Sequence, residues 1–167
     1  MDNSKLDSLD GMKILSYADE SQQAVPSTFK LLQLASDMGS LGAMPCADIY
    51  GYHSYDNAIV YYHPCHGQSN QKWAYISSEN ITETDEIGEQ MNLGVIKSGH
   101  ALSKCLQKAI DSVELSIWEC NESEEQVWER IFEAEGDPEI YRNPASNKCI
   151  GFENGGPYPG DLMIVDE

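Results

Sequence analysis

The sequence predicts an all-β fold built from three related units, the third of them truncated. Three observations carry this. Two stretches nearly repeat each other: Cys65-His66-Gly67-Gln68-Ser69-Asn70-Gln71-Lys72-Trp73 and Cys120-Asn121-Glu122-Ser123-Glu124-Glu125-Gln126-Val127-Trp128 each run from a Cys through a short polar loop to Gln-x-Trp. Each is preceded by another cysteine, Cys46 and Cys105, and Cys149 opens a third copy. The apolar residues fall in short runs rich in branched and aromatic side chains, separated by Gly, Ser, Asn and Pro, which is the pattern of strands between tight turns. Repetition at this scale sets the architecture before any local preference does.

Residues 1–27 stand outside the repeat. They are acidic, with Ser and Gln and one weak apolar cluster at Met12-Lys13-Ile14-Leu15, and read as a linker or tail. The first unit, about 28–76, begins with a strand at Phe29-Lys30-Leu31-Leu32-Gln33-Leu34. A turn-rich spacer from Ser36 to Pro45 leads to Cys46, a second turn region follows, and Ala58-Ile59-Val60-Tyr61-Tyr62 forms the next strand. The acidic stretch from Ser77 to Gln90 is an inserted surface loop. It explains why the Cys46-to-Cys105 step is 59 residues and the Cys105-to-Cys149 step only 44. The second unit, about 92–133, repeats the pattern with Leu93-Gly94-Val95-Ile96, a spacer from Lys97 to Lys104, Cys105, and Leu115-Ser116-Ile117-Trp118. Trp128 to Glu135 looks helical by composition, but its counterpart Trp73-Ala74-Tyr75-Ile76-Ser77 looks like a strand. Equivalent positions share a structure, so both are strands with a helical turn just before each Trp. The third unit, about 138–167, carries Glu139-Ile140-Tyr141, a spacer from Arg142 to Lys148, Cys149, and Leu162-Met163-Ile164-Val165.

Lys and Arg number 10 against 28 Asp and Glu, a formal net charge of −18. Such a surface repels phosphate backbones and anionic membranes, so neither nucleic acid nor a membrane is an expected partner. No apolar run reaches transmembrane length, and the polar, acidic start lacks the basic and apolar regions of a secretory signal. Five cysteines in paired spacing suggest disulfides and an oxidising compartment, and the sequons Asn80-Ile81-Thr82 and Asn121-Glu122-Ser123 fit the same setting. A piece of a longer luminal or secreted protein accounts for both.

The three units resemble the ricin B-type lectin domain, a β-trefoil, over about residues 28–167. Two segments are most similar to the C-terminal lectin domain of polypeptide N-acetylgalactosaminyltransferases: Cys65 to Trp73, and Glu124-Glu125-Gln126-Val127-Trp128-Glu129-Arg130-Ile131 followed by Asn147-Lys148-Cys149-Ile150. The resemblance implies disulfides Cys46–Cys65 and Cys105–Cys120, with Cys149 left over. It implies that Trp73 and Trp128 fill the pseudo-threefold centre, where burying each indole is worth a few kcal/mol, instead of serving as sugar platforms. It also implies a secretory-pathway (Golgi) or extracellular location, and a targeting role towards GalNAc- or galactose-bearing glycans or glycopeptides. The catalytic domain of those transferases carries a metal-binding Asp-x-His. This chain has no Asp-x-His, no room for that domain and no readable nucleophile–base pair, so the chain itself is not expected to be an enzyme.

A galactose-type sugar needs a fork for its vicinal hydroxyls and a flat ring against its C–H face. A carboxylate accepts two hydroxyl hydrogens in charge-assisted bonds, and an Asn both donates and accepts. Carried over from the resemblance, the first unit supplies Asp48 two residues after its first Cys, His63 two before its second, Asn70 beside the Gln, and His66 after Cys65. His63 departs from the usual larger aromatic, with Tyr61 or Tyr62 as substitutes, although Tyr62, like Ile117, also reads as a core position because neighbours on a strand face opposite ways. The second unit supplies a weaker set, Gln107, Trp118 and Glu125, in which acid and amide have changed places. The third has Gly151 in place of the acid and is blind. His53, His63 and His66 lie close to Cys65 in sequence, but the spacing matches no zinc pattern and Cys65 is claimed by Cys46, so neither metal nor cofactor is expected. Glu79 to Glu89 lacks the spacing and turn glycine of an EF-hand loop. The competing expectation is a trefoil scaffold that binds protein and has lost its sugar.

Overall fold

The computed structural model describes residues 30–31, 45–78, 91–131, 140–152 and 163–165. Eleven strands appear among them, every pairing antiparallel. One set forms a continuous wall. In it β1 (Lys30–Leu31) pairs with β4 (Lys72–Ser77), β4 with β5 (Leu93–Ser98), β5 with β8 (Trp128–Ile131), and β8 with β9 (Ile140–Asn143). The other set is three hairpins: β2 (Pro45–Ile49) with β3 (Ala58–Pro64), β6 (Lys104–Lys108) with β7 (Leu115–Glu119), and β10 (Lys148–Phe152) with β11 (Met163–Val165). Each hairpin follows a wall strand in sequence, so one design recurs three times. β3 also pairs with β7 through Ala58–Ile117 and Ile59–Ser116, joining the first two hairpins.

The core is made by side chains that alternate inward from both sets. Tyr62, Trp73, Leu106, Ile117, Trp128 and Tyr141 belong to one buried cluster. Both indoles find a partner for their N–H, as buried Trp requires. Trp73 Nε1 donates to the Ala47 carbonyl and Trp128 Nε1 to the Leu106 carbonyl, each at 3.1 Å. Ala47 and Leu106 each follow the first Cys of their unit, so the two bonds are equivalent. Gly94 is set by a close approach, since a Cβ there would lie 2.2 Å from the Ile76 carbonyl oxygen. Disulfides join Cys46 to Cys65 and Cys105 to Cys120; Cys149 is in neither.

The structure differs from the sequence reading in three places. β2, β6 and β10 begin at or just before the first Cys of each unit, where only a turn was expected to follow. They escape notice because β2 buries Cys46, Ala47, Asp48 and Ile49 in a row, acid included, with no alternation to see. The spacers are shorter than expected: Lys97 and Ser98 extend β5, and Arg142 and Asn143 extend β9. Of the two readings of Tyr62, core residue and substitute platform, the core one holds, as it does for Ile117, and the platform one falls. The segment that looks helical by composition begins as a strand, Trp128–Ile131, and the turn before each Trp is present, a 3-10 turn over Ser69–Gln71 in the first unit. The tail at 1–27, most of the acidic loop at 77–90 and Glu133 to Glu135 lie outside the described residues.

Candidate functional site

The site is built on the β2–β3 hairpin and closed by the loop between Cys65 and Trp73. Hairpin register sets Cys46 opposite His63 and Asp48 opposite Tyr61. Asp48 is 1% exposed. A carboxylate in that position needs donors, and three side chains supply them. Asn70 Nδ2 donates to Oδ1 at 2.8 Å, Gln71 Nε2 to Oδ2 at 2.9 Å, and His66 Nε2 to Oδ2 at 3.1 Å. The 3-10 turn delivers Asn70 and Gln71 side by side.

Gln71 is the hub of the loop. Its Oε1 accepts from the backbone N–H of His66 at 2.8 Å and of Gly67 at 3.2 Å, and its Nε2 also donates to the Pro64 carbonyl at 3.1 Å. Gly67, at φ +77°, makes the left-handed bend that lets both N–H groups face this amide. Asn70 turns its NH2 towards Asp48, which can only accept, and this leaves Asn70 Oδ1 buried with no donor within reach.

Rings form the wall. Tyr50 meets Tyr61 edge-on at 5.4 Å, Tyr61 meets His63 at 6.0 Å, and His63 meets His66 at 5.3 Å. His63 and Tyr61 are half-buried, whereas His66 and Tyr50 are exposed. Burial, and then the neighbouring Asp48 carboxylate, raise the Tyr61 phenol above its ordinary range. The ring tautomers follow from their partners. His63 Nδ1 lies 3.0 Å from the Pro64 carbonyl, an acceptor only, so Nδ1 carries the proton. His66 Nδ1 accepts from Gln68 N–H at 3.2 Å, so its proton sits on Nε2, facing Asp48.

A brace from the second unit holds this loop. His100 Nδ1 accepts from Ser69 Oγ at 2.9 Å, and its Nε2 donates to the Tyr52 carbonyl at 2.8 Å. The Tyr52 hydroxyl donates to Gln68 Oε1. The structure thus brings Asp48, His63, His66 and Asn70 together with Tyr61, one of the two substitute rings, and adds Gln71, Tyr50 and His100. The Gln of Gln-x-Trp was the available signal for Gln71. Nothing in the sequence marks His100, 31 residues from Ser69.

The second unit repeats the hub without the acid. Gln126 Nε2 donates to Gln107 Oε1 at 2.8 Å and to the Glu119 carbonyl at 2.9 Å, while its Oε1 accepts from Asn121 N–H at 2.9 Å. Gln107 therefore stands where Asp48 stands, with an amide oxygen already engaged. Trp118 is half-buried, with its Nε1 on Ser116 Oγ at 3.0 Å. Glu125 lines a separate hollow of about 170 Å³ with Lys108, Ile110 and Asn143. The three residues are thus split between two environments. In the third unit Gly151 is paired to Ile164 on the edge hairpin.

Comparison with solved structures fixes the architecture. A designed three-fold symmetric protein, ThreeFoil, superposes with a TM-score of 0.60 at 16% identity, covering 74% of this chain and 81% of that one. The chain is a β-trefoil. A mosquitocidal holotoxin matches with a TM-score of 0.60 at 15% identity over 74% of the trefoil chain and 14% of the toxin. The Haemophilus ducreyi cytolethal distending toxin matches with a TM-score of 0.56 at 12% identity, covering 87% of the trefoil chain and 80% of that chain. No protein-family model and no curated protein matches the sequence. At such identities the likeness is one of fold. The two disulfides place the trefoil in an oxidising, extracellular or secretory environment.

Proposed function

We propose that the chain is a carbohydrate-binding module that takes a galactose-type sugar, GalNAc or galactose, in the pocket of its first unit. The observation that carries the reading is the buried Asp48 carboxylate beside an Asn70 oxygen without a donor, under a wall of aromatic rings. A carboxylate offers about four lone-pair sites, and protein donors take three of Asp48's. One sugar hydroxyl takes the fourth. A second displaces His66, the exposed donor of the three. His63 and Tyr61 supply the flat face, and Asn70 Oδ1 gains a hydroxyl donor. The likeness of Cys65 to Trp73 to the transferase lectins supports placing the module in a polypeptide GalNAc-transferase-like protein of the secretory pathway, where it holds glycosylated acceptors at high effective concentration.

A second reading also has an observation behind it. Asp48 is so fully bonded within the protein that it serves as a structural linchpin in a trefoil scaffold for protein partners. Retention on immobilised GalNAc, with elution by free GalNAc, separates the two. The lectin reading expects retention that His63→Ala abolishes at an unchanged thermal midpoint. The scaffold reading expects no retention on GalNAc or galactose.

A further inference from the structure

We propose that the same pocket binds a borderline-soft divalent ion, Zn²⁺, on Asp48, His63 and His66, and that ion and sugar exclude one another. A ligand atom from each of the three residues falls within 4.8 Å of the other two. Sequence spacing conceals the set, because the third ligand is an acid on another strand and not the nearby cysteine, which is spent in a disulfide. Zinc bonds to nitrogen and oxygen are about 2.0–2.1 Å long, so two ligand atoms on a tetrahedral ion stand about 3.3 Å apart and two imidazole centroids roughly 5 Å apart. Here Asp48 Oδ2 and His66 Nε2 are 3.1 Å apart, and the His63 and His66 centroids 5.3 Å. The pocket is already near the geometry an ion requires.

The surroundings are those of a metal ligand set. His63 Nδ1 is held by the Pro64 carbonyl, which fixes the ring and leaves Nε2 with the lone pair. Asn70 and Gln71 hold both oxygens of Asp48 in place. His66 changes tautomer, its Nε2 proton moving to Nδ1 through solvent, and gives up the long Gln68 N–H contact on an exposed loop. Three protein ligands leave one position open to water, and a net charge of −18 draws cations towards the surface. The ion occupies the Asp48 edge that the sugar hydroxyls need and pins His66, which the sugar has to displace. The exclusion rests on the sugar pocket proposed above, but the ion site does not.

The test uses the untagged full chain, stripped with EDTA and dialysed. Titration with ZnCl2 alone in a calorimeter is expected to show a site that His63→Ala and His66→Ala each weaken at least tenfold. His53→Ala, outside the cluster, leaves it unchanged. Saturating Zn²⁺ is expected to release the chain from a GalNAc column, and EDTA to restore retention. Absence of Zn²⁺ binding, or binding indifferent to both cluster variants, overturns the ion site and leaves the lectin reading standing. Zn²⁺ binding with no GalNAc retention under any condition supports the ion site and removes the lectin reading with the exclusion. Simultaneous binding of both overturns the exclusion.

Discussion

Asp48→Asn separates the structural from the binding role of the acid. The carboxylate receives Asn70 on one oxygen, and Gln71 with His66 on the other. The new amide keeps one acceptor. The cheaper orientation keeps that oxygen towards Gln71 and His66, so its NH2 faces the NH2 of Asn70. Asn70 can then flip its own amide, turning the unpartnered Oδ1 to accept from the new donor. The net change is the replacement of hydrogen bonds to a charge, roughly 1.5–3 kcal/mol each, by neutral ones of roughly 0.5–1.5 kcal/mol. Over three bonds that is a loss of about 3–4 kcal/mol; burying a neutral amide in place of a charge offsets part of it, leaving about 1–2 kcal/mol, which lowers the thermal midpoint by roughly 2–8 °C. Sugar binding loses a charge-assisted bond and the Asn70 acceptor, so retention on GalNAc falls at least tenfold, a tenfold change being about 1.4 kcal/mol. Thermal unfolding by circular dichroism and frontal affinity chromatography measure the two effects on one sample. Unchanged GalNAc retention would show that Asp48 does not grip hydroxyls. An unchanged midpoint would show that its three donors are not the bonds described here.

Three further outcomes are expected. Gly94→Ala places a methyl 2.2 Å from the Ile76 carbonyl oxygen, forcing β4 and β5 apart at a cost of about 1–3 kcal/mol; urea unfolding reads this directly, and an unshifted midpoint contradicts the close approach. The disulfides span sequence separations of 19 and 15 residues, and loop-closure entropy gives each about 3 kcal/mol. Replacing Cys46 and Cys65 by Ser should therefore cost stability and GalNAc retention together, while replacing Cys105 and Cys120 should cost stability alone. Stability should also fall above pH 10. Burial pushes the Tyr75 phenol up to about 12 and Tyr62 further in the same direction. From pH 10 the unfolded chain ionises these groups while the folded chain keeps them protonated, so the folded state binds more protons and loses ground as pH rises. By pH 12 Tyr75 contributes less than the roughly 2 kcal/mol that a full rise to about 12 would give, because its hydroxyl is partly screened by solvent. Burial of Lys97 lowers its ammonium and acts in the opposite sense only up to its ordinary range. Urea midpoints from pH 8 to 12 follow the fall, and Tyr62→Phe should make it shallower.

Much of the fold was legible because its strands announce themselves locally. The runs at Ala58 to Tyr62, Leu93 to Ile96 and Leu115 to Trp118 need no distant partner to be recognised. The repeat then corrects composition where composition misleads, as at Trp128–Ile131. What stayed hidden depends on groups far along the chain. Asp48 is buried within a strand because donors 18 to 23 residues on, His66, Asn70 and Gln71, satisfy it, and Gln107 likewise depends on Gln126, 19 residues on. A polar residue at such a place looks like a turn until its partner is in view. The same blindness applies to the site. The matching positions name Asp48, His63, His66 and Asn70, but the edge contact of Tyr50 with Tyr61 forms only when the β2–β3 hairpin closes, and the brace from His100 only when the second unit packs against the first.

The twin glutamines, Gln71 and Gln126, have a consequence of their own. Each stitches its loop to the sheet in the same manner, whether it faces a carboxylate or an amide. The frame therefore accommodates an acid or an amide at that place with one and the same stitch. Chemistry at the mouth of a lobe is thereby uncoupled from the bonds that keep the lobe in shape.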